Sequence, residues 1–357
     1  RALSGEYELY RLPVRAVAGS VLPKVTGVDL RRELREGNRS IFSRQLLALM
    51  AKCLQRHEQV MLFLNRRGFT GFISCRSCGQ SIKCPHCDVS MTVHRNGRLV
   101  CHYCGHNVPM PDRCPSCGSP YIAGFGIGTQ KVESEVKKLF PEASVLRMDM
   151  DTTSRKDGHS KILAAFGAGE ADILIGTQMI VKGHDFPKVT LVGVLAADLS
   201  LYVQDFRASE RTFQLLTQAA GRAGRGSVPG DVVIQTYSPD NYAVATAAKQ
   251  DYYGFYRREM DFRYLMNYPP AGSMLYILVS STDEEAAWTE ARAIAATLLL
   301  EADERMAVIG PSEAGISKIK DQYRKQIYVK HPRKEKLLSL RDKILETHEE
   351  NVHMQLL

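Results

Sequence analysis

Residues 75–117 read CRSCGQSIKCPHCDVSMTVHRNGRLVCHYCGHNVPMPDRCPSC, which places four Cys-x-x-Cys pairs within 43 positions: Cys75/Cys78, Cys84/Cys87, Cys101/Cys104 and Cys114/Cys117. Two cysteines two residues apart can both face one metal. Two such pairs make the four-thiolate tetrahedron that zinc takes in structural sites. Eight thiols therefore predict two structural Zn2+ sites. A secreted module with four disulfides is the alternative, but the rest of the chain has the pattern of an intracellular enzyme. Four pairs can be joined in three ways. Thirteen residues separate Cys87 from Cys101, near the spacing of an ordinary zinc ribbon. Closing an inner site over Cys84, Cys87, Cys101 and Cys104 makes a hairpin whose ends bring Cys75/Cys78 beside Cys114/Cys117. This nesting puts both ends of the cassette together, as an insertion into another domain requires. His86, His94, His102 and His106 lie nearby; with eight thiols available they are expected at the surface or behind the ligands. A closed four-thiolate shell leaves no position for water, so the expected role of both metals is folding.

Outward from the cassette, the chain has 357 residues, which suggests two or three domains. Its 44% hydrophobic and 24% charged content is that of a soluble globular protein with room for a sizeable core. No run reaches the ~18 apolar residues of a membrane helix. No signal-peptide pattern opens the chain, and it starts at Arg1 without an initiator Met, as expected of a piece of something longer. A net charge of +8 suits an anionic partner, most often nucleic acid. The ninth cysteine, Cys53, lies among Leu49, Met50 and Leu54 and is expected in the core.

Residues 7–14 are strand-like and are followed to about residue 40 by loop material rich in Gly and Arg. Ser40 is positioned to cap a helix through Leu46, Leu47, Met50 and Leu54. VMLFL at 60–64 is a buried-strand run. Past the cassette, GFGIGT (124–129) leads into a helix with Val132, Val136, Leu139 and Phe140 on one face. Such a turn is either a phosphate cradle or a plain turn, and it has no P-loop Lys. Strand-like segments recur at 144–148, 172–177, 190–197 and 231–237, with helical stretches such as 160–166 and 209–220 between them. Apolar strands alternating with helices predict an α/β domain with a mostly parallel sheet. The expected division is 1–70 plus 121–240 for this domain and 71–120 for the inserted cassette, then a helical linker at 241–270 and a C-terminal domain at 271–357. The linker mixes Tyr252, Tyr253, Phe255, Tyr256, Phe262, Tyr264 and Tyr268 with Arg257, Arg258 and Arg263. It either holds single-stranded nucleic acid or packs its aromatic face on the α/β domain, and the packing is preferred. The last part reads strand, helix, strand, strand, helix, strand, a βαββαβ order of ferredoxin type. Between 318 and 336 it gathers Lys318, Lys320, Arg324, Lys325, Lys330, Arg333, Lys334 and Lys336 against Asp321 and Glu335, either a phosphate-binding patch or a solvated loop.

Two blocks carry chemistry. Gln218-Ala-Ala-Gly-Arg222-Ala-Gly-Arg225 closes a helix, and two guanidinium groups presented together suit the charge on a transferring γ-phosphoryl group. Gly176-Thr177-Gln178-Met179 and Lys182-Gly183-His184-Asp185-Phe186 follow a strand. They begin at its C-terminal end, where open α/β sheets bind ligands. The Thr177 hydroxyl can meet a nucleic-acid phosphate and Asp185 a ribose hydroxyl.

These blocks resemble motifs V and VI of the superfamily 2 helicases. Together with NRRGF at 65–69, the four cysteine pairs, DTTSRK at 151–156, GTQMIVKGHDFP at 176–187 and QAAGRAGR at 218–225, they look like the bacterial primosomal protein N′ family of replication-restart helicases. The resemblance covers essentially the whole chain. It implies an ATP-driven 3′-to-5′ DNA helicase of the bacterial cytoplasm and nucleoid, working as a monomer. Such a protein recognises stalled or branched forks and reloads the replicative helicase. It implies a second RecA-like lobe with a two-zinc insert and a C-terminal domain that helps bind branched DNA. The implied partners are branched and single-stranded DNA, single-stranded DNA-binding protein, and primosome and helicase-loading proteins. Gln218, Arg222 and Arg225 would reach the phosphates of ATP held with Mg2+, and Gly183 and Asp185 would couple nucleotide to DNA. Thr177, Gln178 and Lys182 would touch DNA. Cys75, Cys78, Cys114 and Cys117 would share one zinc and Cys84, Cys87, Cys101 and Cys104 the other. No GxxxxGK[ST] occurs, and Asp283-Glu284-Glu285 opens a helix instead of ending a Walker-B strand. The chain alone is therefore expected to hydrolyse no ATP. The competing expectation is a non-catalytic, zinc-stapled platform for branched DNA and partner proteins. Arg66, Arg67, Arg76, Lys83, Arg95, Arg98 and Arg113, against Asp88 and Asp112, suit the cassette to guiding a displaced strand or to a solvated face.

Overall fold

A sheet covered on both faces needs strands that are apolar throughout, and the strands here are of that kind. The chain runs through β1 (Lys24–Asp29), α1 (Leu30–Arg35), α2 (Arg44–Gln55) and β2 (Gln59–Leu64). The cassette contains β3 (Ile73–Cys75), β4 (Thr92–Val93), β5 (Arg98–Val100), β6 (Asn107–Pro109) and β7 (Ile122–Gly124). After it come α3 (Thr129–Leu139), β8 (Val145–Met148), α4 (Met150–Thr153), α5 (Gly158–Ala168), β9 (Ile173–Gly176), β10 (Val189–Leu195), α6 (Ala208–Ala220), β11 (Asp231–Thr236), α7 (Tyr242–Ala248) and α8 (Tyr252–Met266). The last part is β12 (Ser273–Ser281), α9 (Glu284–Leu300), β13 (Ala307–Ile319), β14 (Gln322–His331), α10 (Lys334–Thr347) and β15 (Val352–Leu356). The computed structural model describes residues 5–10, 22–64, 73–85, 90–94, 97–101, 104–124, 128–153, 158–181, 186–203, 205–224, 229–348 and 352–357.

Six strands pair in the order β1-β11-β10-β2-β9-β8, all parallel. Every residue of β2, β9 and β10 is buried. One face is covered by α2 and α3, through Leu46, Met50, Val132 and Val136. The other is covered by α5, α6 and α7, through Leu163, Phe166, Phe213, Leu216, Val244 and Ala247, with Phe255 of α8 joining the same core. The buried amide of Gln59 is satisfied by the carbonyls of Phe166 and Ala171, both at 2.8 Å. Cys53 is buried as expected, and burial pushes its thiol up to about 11.

Two local expectations change. One edge strand of the sheet is β1, inside the stretch read as loop; its KVTGVD has one buried residue, Val28, and takes its register wholly from pairing with β11. Of residues 7–14, 7–10 form no strand and 11–14 lie outside the described residues. The cap of α2 is Ser43, whose Oγ accepts from the Leu46 N–H at 3.2 Å, while Ser40 bonds the Phe42 N–H one turn earlier.

The cassette leaves and rejoins the lobe through β3 and β7, which pair antiparallel from Ile73↔Gly124 to Cys75↔Ile122. Its far part is the three-stranded sheet β4-β5-β6 over Met91 and Leu99. The C-terminal sheet is β13-β14-β12-β15, the ferredoxin-like order, with α9 and α10 packed through Ile294, Leu298, Leu340 and Ile344. Its hairpin is much longer than the short strands read from sequence, and this divides the basic run. Lys325 and Lys330 are buried. Lys325 pairs with Glu284 at 2.8 Å, and Lys330 donates to the Met266 carbonyl at 3.2 Å while lying 3.4 Å from the Tyr268 ring centroid. Lys318, Lys320, Arg333 and Lys334 stay exposed.

Candidate nucleotide and metal sites

The amphipathic pattern of α6 fixes which of its residues face out. Phe213, Leu216, Ala219 and Ala220 enter the core. The opposite stripe, Glu210, Gln214, Thr217 and Gln218, continues past the helix end into Gly221 and Arg222 and lines a groove of about 610 Å³. The facing wall is α8, through Tyr252, Tyr256, Glu259, Met260 and Arg263. At the far end of the groove Arg263 ties the two helices together, donating to Glu259 at 2.8 Å, to Glu210 at 2.6 Å and to the Pro269 carbonyl at 2.7 Å. Gln218 and Arg222 thus share one wall; Arg225 lies outside the described residues.

Thr177 and Gln178 follow β9 and enter a 3-10 turn (Gln178–Val181), with the Ile180 N–H on the Thr177 carbonyl at 3.1 Å. Both are half-buried. This 3-10 turn touches α6, but Thr177 and the turn after Arg222 start from different levels of the sheet. Gly176 is level with Phe63, and Phe63 with Val194, whereas the turn after Arg222 is pinned by the Gly224 N–H on the Val189 carbonyl at 3.1 Å. Five strand residues separate those levels, roughly 16 Å at ~3.3 Å each. Thr177 and the turn after Arg222 therefore lie toward opposite ends of the parallel strands. Lys182, Gly183 and Asp185 lie outside the described residues. Gly224, at φ +67°, is required by its own turn: an added Cβ would lie 2.3 Å from the Gly230 nitrogen.

The thiols form two nested groups. The Sγ atoms of Cys75, Cys78, Cys114 and Cys117 lie within 4.8 Å of one another, and so do those of Cys84, Cys101 and Cys104. Cys87 lies outside the described residues. The Cys75–Cys117 and Cys78–Cys114 separations are both 3.7 Å, and Cys84–Cys104 is 3.6 Å. Zn–S bonds of ~2.3 Å give a tetrahedron with an edge of about 3.8 Å, so the donor set fits that metal. Burial opposes ionising Cys75, but the Cys78 and Ser77 N–H groups and the Cys117 thiol bring it down to about 7. Burial and its three sulfur neighbours push Cys78 up to about 12. Four such thiols share negative charge poorly without a cation.

The outer cysteine group is clamped to the lobe by residues that carry no motif. The Gly79 carbonyl accepts from Tyr202 Oη at 2.8 Å, and Tyr202 Oη also bonds Ser238 at 2.7 Å. Arg31 reaches the Cys78 carbonyl at 3.4 Å from its pair with Asp29. Beneath them Asp198, buried at the end of β10, accepts from Thr236 Oγ1 and the Tyr237 N–H, both at 2.8 Å. Burial raises the pKa of that carboxyl, and these donors work against the rise. The inner group packs toward the C-terminal sheet, against Ile309 and Tyr328. An acid in a run such as VLAADLSLY gives no sign that it joins two strand ends; only register reveals it.

The comparisons with known proteins agree with this architecture. Family models match residues 125–227 (helicase conserved C-terminal domain), 84–109 (PriA DNA helicase Cys-rich region domain) and 264–354 (primosomal protein N C-terminal domain). The replication restart protein PriA of Bacillus subtilis is 49% identical over 356 residues, 99% of this chain and 44% of that protein. That of Synechocystis is 45% identical over 90% of this chain and 39% of its own length. That of Haemophilus influenzae is 37% identical over 92% and 45%. The chain spans less than half the length of these relatives. No helix among the described residues is long and apolar enough to cross a membrane. With a helicase-type lobe, a cysteine-rich insert and a primosomal C-terminal domain in one order along the chain, it belongs to the PriA family of replication restart helicases.

Proposed function

We propose that this chain supplies the second motor lobe, the two-zinc cassette and the C-terminal domain of an ATP-dependent 3′-to-5′ DNA helicase. In this reading the whole protein engages stalled or branched forks in the bacterial cytoplasm and nucleoid as a monomer. It restarts replication with single-stranded DNA-binding protein, primosome and helicase-loading proteins. The observation that carries the reading is the open wall on which Gln218 and Arg222 stand together. Phosphoryl transfer needs positive charge fixed beside the γ-phosphate before the reaction begins. A guanidinium at the end of a helix packed into the sheet meets that need. Arg225 adds the second guanidinium, and Gly183 and Asp185 couple the nucleotide to DNA. Thr177, Gln178 and Lys182 contact the DNA. Mg2+ and the P-loop come from another lobe, since this chain has no GxxxxGK[ST]. The eight paired cysteines hold two structural zinc ions, which staple the cassette and take no part in the chemistry.

The test is Arg222→Ala in the full-length protein. DNA-dependent phosphate release should fall by at least ~100-fold, in line with the rate factors of arginine fingers, while fork affinity by fluorescence anisotropy stays within about twofold. Equal loss of hydrolysis and fork binding would favour the non-catalytic platform. That alternative draws its support from the cassette's contacts with both the lobe and the C-terminal sheet.

A further inference from the structure

The aromatic run of α8 is partly buried and partly exposed. Phe255 is buried and stacks on Phe213 at 4.3 Å, and Phe262 and Tyr268 pack against Phe206. Tyr252 and Tyr256 flank Phe255 on the groove side and are 57% and 50% exposed. Four residues apart, they stand on one stripe with their rings 6.3 Å apart at 27°. Tyr252 also lies 6.3 Å from Phe213, which carries the aromatic row across to α6. This row and Arg222 line the same groove, whose volume of about 610 Å³ is suited to a nucleotide. Packing accounts for Phe255, Phe262 and Tyr268; of the exposed rings of α8, Tyr252 and Tyr256 are the two that line this groove.

We propose that Tyr252 and Tyr256 form the base platform of the nucleotide site, stacking the purine of the nucleotide whose phosphates meet Arg222. This rests on the reading of Gln218 and Arg222 as the phosphate end of the groove. A base on an exposed aromatic ring keeps one face dry, and the neighbouring guanidinium takes the anionic end. The groove therefore separates the two halves of the ligand by chemistry. Single-stranded DNA is the other occupant that exposed tyrosines suit. The shared groove with Gln218 and Arg222 favours the nucleotide.

The experiment uses the full-length protein. In Tyr256→Ala, KM for ATP in DNA-stimulated phosphate release should rise about tenfold with kcat within twofold, as loss of one stacking partner implies. Tyr256→Phe keeps the ring and should restore KM to within twofold of wild type. Inhibition by magnesium tripolyphosphate, which has no base, should be the same in wild type and Tyr256→Ala. Melting followed by circular dichroism checks that the variants fold, and Tyr252→Leu provides a second site if Tyr256→Ala does not. An unchanged KM would overturn the proposal. Equal weakening of tripolyphosphate would overturn it too, because the groove would then have collapsed. Unchanged KM with a tenfold loss of single-strand affinity would assign the face to DNA. Wild-type hydrolysis in Arg222→Ala would instead remove the reading of the phosphate end, an outcome separate from any of these.

Discussion

Gly79→Ala should detach the cassette from the lobe without emptying its metal sites. Gly79 follows the Cys75-x-x-Cys78 knuckle at φ +78°, and a Cβ there would lie 1.9 Å from the Tyr237 carbonyl oxygen and 2.9 Å from its carbon. Gly118 follows the partner knuckle in the same way: its N–H bonds Cys114 as that of Gly79 bonds Cys75, both at 2.8 Å. It has nearly the same φ of +71° but nothing within 4 Å of an added Cβ. The pair therefore separates backbone strain from docking. Strain alone, in Gly118→Ala, should cost about 1 kcal/mol. In Gly79→Ala the two surfaces must part by more than 1 Å to relieve the overlap. That breaks the Tyr202–Gly79 bond and exposes the groups around it. At about 1 kcal/mol for each of two or three hydrogen bonds, the docking loss is roughly 2–3 kcal/mol beyond the control. Urea denaturation of both variants measures the difference, and amide exchange at Tyr237, whose N–H is held by Asp198, reports it locally. Zinc content should remain two per chain in each, because the cysteine groups are local. Equal stability of the two variants, with Tyr237 equally protected, would refute the clamp.

Three further outcomes follow from the same geometry. Asp149 accepts from Thr129 Oγ1 at 2.6 Å and pairs with Arg147. Burial opposes its charge, but bonds from Thr129 and Thr152 and the Arg147 charge hold its pKa below the ordinary 3.8. A lowered folded pKa stabilises above the unfolded value and is lost as pH falls through the folded one, so the advantage of wild type over Asp149→Asn in urea midpoint should shrink below about pH 4. Trp288, the single tryptophan, lies 4.4 Å from the buried Lys325 ammonium. Its fluorescence should follow unfolding of the C-terminal domain, with Lys325→Met close to neutral and Glu284→Ala costing about 1 kcal/mol, since Glu284 is half-exposed; a loss above ~2 kcal/mol in Lys325→Met would contradict this. Cys114→Ser should lower measured zinc from two per chain to about one and leave the inner group loaded, because the two groups share no ligand.

Much of the fold is legible locally. Cysteine pairs announce a metal cassette because ligand spacing is a short-range property. VMLFL and the later apolar runs announce buried parallel strands because burial on both faces leaves no polar alternation. KVTGVD escapes for the converse reason: an edge strand with one buried side chain has no pattern of its own and exists through its partner. The Ser40 and Ser43 alternatives differ by one turn of backbone, which composition does not resolve.

The candidate site divides in the same way. That arginines close α6 and a Thr follows β9 is written in the residues. That Thr177 and the turn after Arg222 lie toward opposite strand ends is set by strand register, which joins residues far apart in the chain. Eight basic residues between 318 and 336 are countable; that Lys325 and Lys330 are buried depends on both faces of β14 being covered, one by α9 and the other by Tyr268. The cassette's metal groups follow from local spacing, but its docking on Tyr202, Ser238 and Tyr237 does not. Ligand geometry and apolar runs act over a few residues and survive in any context, whereas a clamp, a groove or a buried charge exists only where distant segments meet.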